Sequence, residues 1–240
     1  NYNGTDCYSF KCRVNAAEMT KKVNAVLHCN DWTGQTYSYS VYDYASKILA
    51  EPESSEYKSS APLIKAMLNY GGYAQTYFNE KTDALANKGL YNKTNDPVLT
   101  TNTTVSKDYN YAVFNNNIGV SFIGGSLVLN SGTDLKLYYS INDQNMANNI
   151  NVSVNGQNVA PEYDGNIMCV RVPDISISSL GDTYNVKISV NGKELNQKYS
   201  AMTYMYKALN SQNSNTKLNN VVKALYLYNE AAKQYSMEIE

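Results

Sequence analysis

Two stretches far apart in the chain resemble each other, and this internal repeat constrains the fold more than any other feature of the sequence. Residues 63–78 read LIKAMLNYGGYAQTYF, and residues 221–236 read VVKALYLYNEAAKQYS. Self-similarity at a fixed spacing is typical of a repeated structural unit. We therefore expect one architecture to occur twice. The residues that recur without a gap are Lys65, Ala66, Tyr70, Ala74 and Tyr77, which match Lys223, Ala224, Tyr228, Ala232 and Tyr235.

The similarity continues upstream of both stretches at a separation of about 160 residues. YSVYDYASKIL matches YSAMTYMYKAL, and YNGTDCYSFKCRVNAAEM lies over YDGNIMCVRVPDISISSL. The unit is predicted to consist of strands followed by two helices. Residues 98–240 are interpreted as a complete unit, with a β-sandwich over 98–198 and a helical hairpin over 199–236. Residues 1–80 are interpreted as a first unit without its early strands, followed by a linker over 81–97.

Hydrophobic spacing predicts the secondary structure of each part. Apolar residues recur every three to four positions along 41–50 and 63–78, which is the helical period. Between about Thr104 and Tyr199 the period changes to two, as in strands, and residues 8–14 alternate in the same way. Glycine-containing pairs that predict hairpin turns are Gly124-Gly125, Asn155-Gly156, Asp164-Gly165 and Asn191-Gly192.

These patterns predict an α+β fold class. Antiparallel Ig-like β-sandwich units are each expected to be followed by an antiparallel two-helix hairpin, laid against the β-layer that precedes it. The arrangement is duplicated, and its first copy is truncated at the N-terminal side. The tyrosines that recur in the helices are expected to pack in the core or at its rim.

Two adjacent glycines interrupt the helical pattern of residues 63–78. Glycine in a helix interior costs about 1 kcal/mol relative to alanine. We interpret Gly71-Gly72 as room for the close approach of a neighbouring helix or strand, rather than as a ligand site. The matching place in the second copy holds Asn229-Glu230, so we expect a looser or more solvated contact there.

The composition argues against two classes of partner. The formal net charge is −1 and the lysines are scattered singly, so we expect no nucleic-acid binding. No run of about 18 apolar residues occurs, so we expect no membrane insertion. Tyrosine is unusually common, with 23 against 4 phenylalanines and 1 tryptophan. This bias fits an AT-rich genome with an uncharged polar surface, or a binding surface rich in Tyr and Asn.

The cysteines and the single histidine do not predict a metal site. Cys7, Cys12, Cys29 and Cys169 form no CxxC pair, and His28 is alone. Cys12 and Cys29 lie on neighbouring strand-like segments, where they either form a disulfide or act as small buried hydrophobes. We expect no metal and no cofactor.

The sequence also lacks the patterns that catalysis requires. His28 lies in a predicted strand beside Cys29, and the acidic residues fall in loops and turns without a paired arrangement. No glycine-rich loop opens a helix after a strand, so nucleotide binding has no support. We expect no enzymatic activity.

The two helical motifs carry a family resemblance over nearly the whole chain. VYDYASKIL, LIKAMLNYGGYAQTYFN and TDALAN, followed by SLVLNSGTDLKLYYSI, KYSAMTYMYKALN and LNNVVKALYLYNEAAKQY, resemble a module of large surface proteins. These are secreted or wall-attached proteins of gut Firmicutes (Lachnospiraceae and Ruminococcaceae). The resemblance implies an extracellular location and a non-catalytic role as one monomeric module within a longer chain.

We therefore predict a binding or adhesion module that contacts a protein, expected to be host-derived. A first alternative is specific binding of host immunoglobulin, since some surface proteins of these commensals bind it. A second is a carbohydrate-binding module attached to a glycosidase, which requires coplanar exposed aromatic side chains. The candidate binding residues are Trp32, Tyr37, Tyr39 and Tyr138.

Overall fold

The computed structural model describes residues 10–112, 118–129, 133–212 and 215–239. Its helices are α1 (Val41–Ala50), α2 (Ala61–Phe78), α3 (Pro97–Thr100), α4 (Ala201–Leu209) and α5 (Thr216–Ile239). Its strands are β1 (Val23–Ala25), β2 (His28–Cys29), β3 (Trp32–Thr33), β4 (Tyr37–Tyr39), β5 (Val120–Leu129), β6 (Thr133–Ile141), β7 (Ile150–Val154), β8 (Gln157–Asn158), β9 (Glu162–Asp164), β10 (Ile167–Ile175), β11 (Tyr184–Val190) and β12 (Lys193–Tyr199). Short 3₁₀ turns lie at Ala16–Glu18, Lys107–Tyr109, Gln144–Asn149 and Ile177–Ser179.

Local chemistry sets where the helices begin and end. Ser40 caps α1, because its hydroxyl accepts from Asp43 N at 3.0 Å while the Asp43 carboxylate accepts from Ser40 N at 2.8 Å. Pro62 lies in the first turn of α2, where its missing N–H costs nothing. The left-handed backbone of Asn79, with φ 57°, ends that helix.

Two four-stranded antiparallel sheets contain most of the strands. One has the order β5-β6-β10-β9 and the other β12-β11-β7-β8. They meet across the core, where the Tyr139 hydroxyl lies 3.3 Å from Gln197 Oε1 and the Phe122 ring centroid lies 5.7 Å from that of Tyr199. The predicted α+β class with antiparallel sheets is confirmed. Fully buried side chains of the two sheets include Leu135, Leu137, Tyr139, Met168, Ile188 and Leu195.

Three of the four predicted glycine-containing pairs lie at hairpin turns and one does not. Gly165, with φ 56°, lies in the turn between β9 and β10. Asn155-Gly156 has φ of 51° and 81°, and Asn191-Gly192 has 49° and 77°, as expected for turns that match the twist of the strands. Gly124-Gly125 is not a turn but lies inside β5, beside a register shift. A Cβ on Gly125 would lie 2.9 Å from the Tyr199 hydroxyl, so this glycine makes room for that ring.

The strand predicted over residues 8–14 is not found in its described part. Residues 10–14 have no strand, and residues 8 and 9 lie outside the described residues, as does Cys7. A strand needs a neighbouring strand to satisfy its backbone N–H and C=O groups, so alternation alone does not form one. Arg13 instead forms an ion pair with Asp174 at 2.7 Å.

Helix α2 packs against helix α5, so the expectation that it lies on the β-layer before it is wrong. The Tyr70 and Tyr228 rings stack with centroids 5.9 Å apart and an interplanar angle of 26°. Leu68 and Ala74 of α2, and Val221 and Leu225 of α5, are buried in the same core. Strands β1 and β4 have three residues each, too few to cover an apolar stripe that runs along four or five helical turns.

Residues 81–97, predicted as a linker, are held against α2 by buried polar side chains. Gln75 Oε1 accepts from Ala86 N at 2.7 Å, and its amide nitrogen donates to the carbonyls of Lys81 and Ala84. Asp96 accepts hydrogen bonds from Asn69 at 3.1 Å and from the Tyr73 hydroxyl at 2.6 Å. Burial, together with this bond to Asp96, raises the pKa of Tyr73. A lost partner here would leave a buried polar group unsatisfied.

The glycine pair of α2 is explained by this segment and by the first 3₁₀ turn. A Cβ on Gly71 would lie 2.7 Å from Met19 Sδ and 3.3 Å from the Ala16 carbonyl oxygen. A Cβ on Gly72 would overlap the Asn87 amide, which donates to Asn69 Oδ1 at 2.9 Å. The predicted close approach is confirmed, although the neighbours belong to a turn and a loop rather than to a helix or strand.

The looser or more solvated contact expected at Asn229-Glu230 is wrong for Asn229, whereas Glu230 is exposed. Asn229 is fully buried, and its amide nitrogen donates to the Ile177 carbonyl. The Asn229 side chain thus spans the distance between α5 and the turn at Ile177. At the matching place in the first half, Gly71 lets α2 approach the turn at Ala16 directly.

We expect Gly72→Ala to destabilise the protein. The added Cβ displaces Asn87 and breaks its hydrogen bond to Asn69, which outweighs the helix propensity gained, for a net loss of about 1–2 kcal/mol. Urea unfolding measures the change. Gly124→Ala is the control, because its Cβ would meet no atom within 4 Å. A Gly72→Ala protein more stable than wild type would contradict this packing.

Candidate functional site

The hairpin made by β1, β2, β3 and β4 carries an exposed apolar surface. Leu27, Trp32, Tyr37 and Tyr39 have exposed fractions of 56%, 57%, 63% and 42%. We call these four residues the hairpin surface. Single exposed apolar side chains are ordinary, and the presence of four on one short hairpin makes it the candidate interaction site.

Strand pairing places these side chains. Ala25 lies opposite Tyr37 and Val23 opposite Tyr39, so each pair points to the same side of the β1–β4 ribbon. At the tip of the hairpin, Cys29 lies opposite Trp32. The hairpin turns at Asn30, which has φ 51°.

Gly34 sets the position of the Trp32 ring. Its N–H donates to the Leu27 carbonyl at 2.9 Å, which brings the two sides of the hairpin together beyond β1 and β4. A Cβ on Gly34 would lie 2.7 Å from the Trp32 indole, so the ring lies directly over the glycine. The indole is thus oriented by the backbone, while more than half of the residue stays exposed to solvent.

Tyr39 lies under a cation from the first helix. Lys47 Nζ of α1 lies 5.3 Å from the centroid of the Tyr39 ring, within the range of a cation–π contact. This contact fixes one edge of the hairpin surface relative to α1.

The structure brings together three of the four predicted binding residues. Trp32, Tyr37 and Tyr39 share the hairpin, whereas Tyr138 lies on β6 in a different sheet. Leu137 and Tyr139 on either side of it are fully buried, so Tyr138 points to the opposite face, where its hydroxyl lies 3.4 Å from Ser126 Oγ. Tyr138 is therefore not part of the hairpin surface.

Sequence reasoning missed Leu27 and Lys47 as parts of this site. The sequence placed Cys29 on a strand-like segment, but it could not show that Leu27, which lies between β1 and β2, is exposed. The helical period placed Lys47 on α1 without indicating its contact with Tyr39.

Cys12 and Cys29 do not form the disulfide that one of the two interpretations required. Cys12 and Cys29 are free and exposed, so the disulfide prediction is wrong, and the buried alternative is wrong for both. Cys169 is free and buried, and burial raises the pKa of its thiol. Their alternating segments lie apart because residues 10–14 do not join a sheet.

The histidine and the acidic side chains of the described residues do not show the geometry of a metal site. His28 is exposed, and its Nδ1 lies 3.0 Å from Thr33 Oγ1. Within residues 10–112, 118–129, 133–212 and 215–239, no three His, Cys, Asp or Glu side chains cluster closely enough to hold a metal ion. A cleft of about 320 Å³ beside α2 and α5 is lined mostly by apolar groups, including Met19, Met67, Tyr70 and Tyr228.

These features define a mixed α+β protein with an exposed aromatic hairpin. Comparison of the chain with known protein families, curated proteins and solved structures finds no match. In the described part of the chain, no helix combines the length and apolarity needed to cross a lipid bilayer.

We expect Gly34→Ala to displace the Trp32 indole from the hairpin. Because the chain has 1 tryptophan, its fluorescence reports this site alone. The emission should move to longer wavelength, and quenching by acrylamide should become stronger. Gly124→Ala, which adds a methyl group far from any neighbour, should leave both quantities unchanged. Unchanged emission in Gly34→Ala would contradict the position of the ring.

Proposed function

We propose that this chain is a non-catalytic extracellular binding module that contacts another protein through the hairpin surface. The exposure of Leu27, Trp32, Tyr37 and Tyr39 on one hairpin is the observation that carries the proposal. Tryptophan and tyrosine are enriched at the centres of protein interfaces, where they bury large area with few rotatable bonds. The aliphatic Leu27 beside them favours a protein partner.

The proposal includes two copies of one unit, a β-sandwich followed by a helical hairpin, with the first copy incomplete. Matching strand registers support this. Val23 lies opposite Tyr39, as Tyr184 lies opposite Tyr199, and the remaining pairs follow in step. The turn residue Asn30 has φ 51°, and its counterpart Asn191 has φ 49°.

Hydrogen bonds at the starts of the helices also correspond. Tyr42 N donates to Met19 O at 2.9 Å, and Met202 N donates to Leu180 O at 3.0 Å. A serine caps each helix in the same way, Ser40 before α1 and Ser200 before α4.

Contacts between corresponding residues support a two-fold relation between the copies. Tyr70 stacks on Tyr228, and Arg13 pairs with Asp174. When corresponding surfaces contact each other, the interface is of the self-complementary kind found in two-fold dimers.

The bacterial surface location and a host-derived partner complete this proposal on the strength of the sequence resemblance. The absence of catalytic activity is proposed from the sequence, which has 1 histidine and no paired arrangement of acidic residues.

Carbohydrate binding is the second candidate function. Trp32 and Tyr37 are both exposed on one hairpin, which is where a sugar platform was predicted. Aromatic faces pack against the apolar faces of sugar rings, so the same surface suits a glycan if the two rings are coplanar.

Capture experiments with matched variants test the proposal. The immobilised chain is exposed to serum and mucus proteins, to purified immunoglobulin and to a glycan array. Leu27→Ser and Trp32→Ser should each weaken capture of a protein about tenfold, as expected for residues at an interface centre. Ile123→Ser is the control, because Ile123 is 55% exposed on β5 and lies outside the hairpin surface.

Capture of glycans alone, lost in Trp32→Ser, would replace protein binding by the carbohydrate function. Protein capture that neither hairpin variant weakens would contradict the proposed site.

A further inference from the structure

The two strand hairpins of the chain differ in one respect that identifies a partner class for the hairpin surface. They share register, but the face of β11 and β12 is covered by the sheet β5-β6-β10-β9, whereas the corresponding face of β1 and β4 is exposed. Resting on the proposed function only in that this surface binds another polypeptide, we propose that the partner is an antiparallel β-sheet of the β5-β6-β10 kind, supplied by a further copy of this unit in place of a host-derived protein.

Burial at corresponding positions shows the contrast. Tyr39 is 42% exposed and its counterpart Tyr199 is 2% exposed; Tyr37 is 63% exposed and its counterpart Gln197 is 3% exposed. Ala25 is exposed, and its counterpart Val186 is buried. The first hairpin has the side chains of a sheet interior without the second sheet that would bury them.

A shared cation–π contact shows what the covering sheet contributes. Lys207 Nζ lies 5.5 Å from the Tyr199 ring centroid, as Lys47 Nζ lies 5.3 Å from that of Tyr39. Around Lys207 the contact is completed by Phe122 of β5, whose ring centroid lies 5.8 Å from Nζ. Around Lys47 the tyrosine and the lysine are already in place, in the geometry that receives such a phenylalanine.

Close approach in the second hairpin adds a shape requirement. Gly125 of β5 leaves room for the Tyr199 hydroxyl, and the Tyr139 hydroxyl of β6 donates to Gln197 at 3.3 Å. The surface around Tyr39 therefore fits a strand with a phenylalanine and, three residues later, a glycine. Strand β5 has this pattern at Phe122 and Gly125.

The segment that enters the first hairpin also fits a missing sheet. Residues 10–14 alternate like a strand and correspond to the end of β10, which lies between β6 and β9. They form no strand here. A sheet of the β5-β6 kind would supply the neighbouring backbone that these residues need to become one.

An extended chain tests this. A copy of residues 98–162 is placed directly before Tyr2, so that the added strands precede the first hairpin as β5 and β6 precede the second. The addition contains no cysteine and no tryptophan, so Trp32 and Cys29 remain specific reporters. We expect the Trp32 emission to shift to shorter wavelength, and Cys29 labelling, followed by peptide mass spectrometry, to slow about tenfold or more as burial protects the thiol.

The matched control carries Leu135→Ser and Leu137→Ser in the added copy only. Both leucines are fully buried in the existing sheet, so the altered copy cannot offer an apolar face. The Trp32 emission and the rate of Cys29 labelling should then be the same as in the original chain. An unaltered extension that stays unfolded, or that folds and leaves both reporters exposed, overturns the proposal.

The outcomes separate this proposal from the function on which it rests. Shielding of Trp32 together with loss of protein capture supports both. If protein capture depends on Leu27 but the extension does not shield Trp32, the proposed sheet is contradicted and the proposed binding function is still supported. Shielding of Trp32 with protein capture unchanged supports the proposed sheet and overturns the hairpin surface as the binding site of the captured protein.

Discussion

The packing of α2 against α5 is the interaction on which the rest of the structure depends. Tyr70 and Tyr228 stack at its centre, and buried aliphatic side chains from both helices surround them in one continuous core. Each large apolar side chain fully removed from water contributes about 1.5–3 kcal/mol. The strands of the first half form only a small hairpin, and α2 packs instead against α5, α1 and the first 3₁₀ turn.

Two devices adapt α2 to this central position. Gly71 and Gly72 let the first 3₁₀ turn and residues 81–97 approach the helix, and the amide of Gln75 satisfies backbone groups of that segment. On α5 the position matching Gly71 is Asn229, whose side chain reaches the Ile177 carbonyl. In one half the turn packs directly on the helix at Gly71, and in the other the Asn229 amide spans the distance to the turn and donates to it. The hairpin of β1 and β4 takes no part in this core, and its tyrosines are exposed.

The sequence predicted the local elements well because their causes are local. Helical stripes and the Asn-Gly turns are set by neighbours within a few residues. It did not predict the partner of α2, because a stripe shows that a face is apolar but not what covers it. It selected Trp32, Tyr37 and Tyr39 as candidates. It missed the exposure of Leu27, because an apolar pattern does not show whether a face is covered. Tyr138 was selected by residue type alone, and its β6 neighbours place it on another face.

Hydrogen–deuterium exchange of the intact chain, read by peptide mass spectrometry, tests the central claim most directly. The account predicts that α2 and α5 are protected to a similar degree and lose protection together as urea is raised, because they share one core. It also predicts that amides of β1 and β4 exchange much faster than those of β11 and β12, whose matching face is covered. Equal protection of the two hairpins, with α2 losing protection separately from α5, would contradict it.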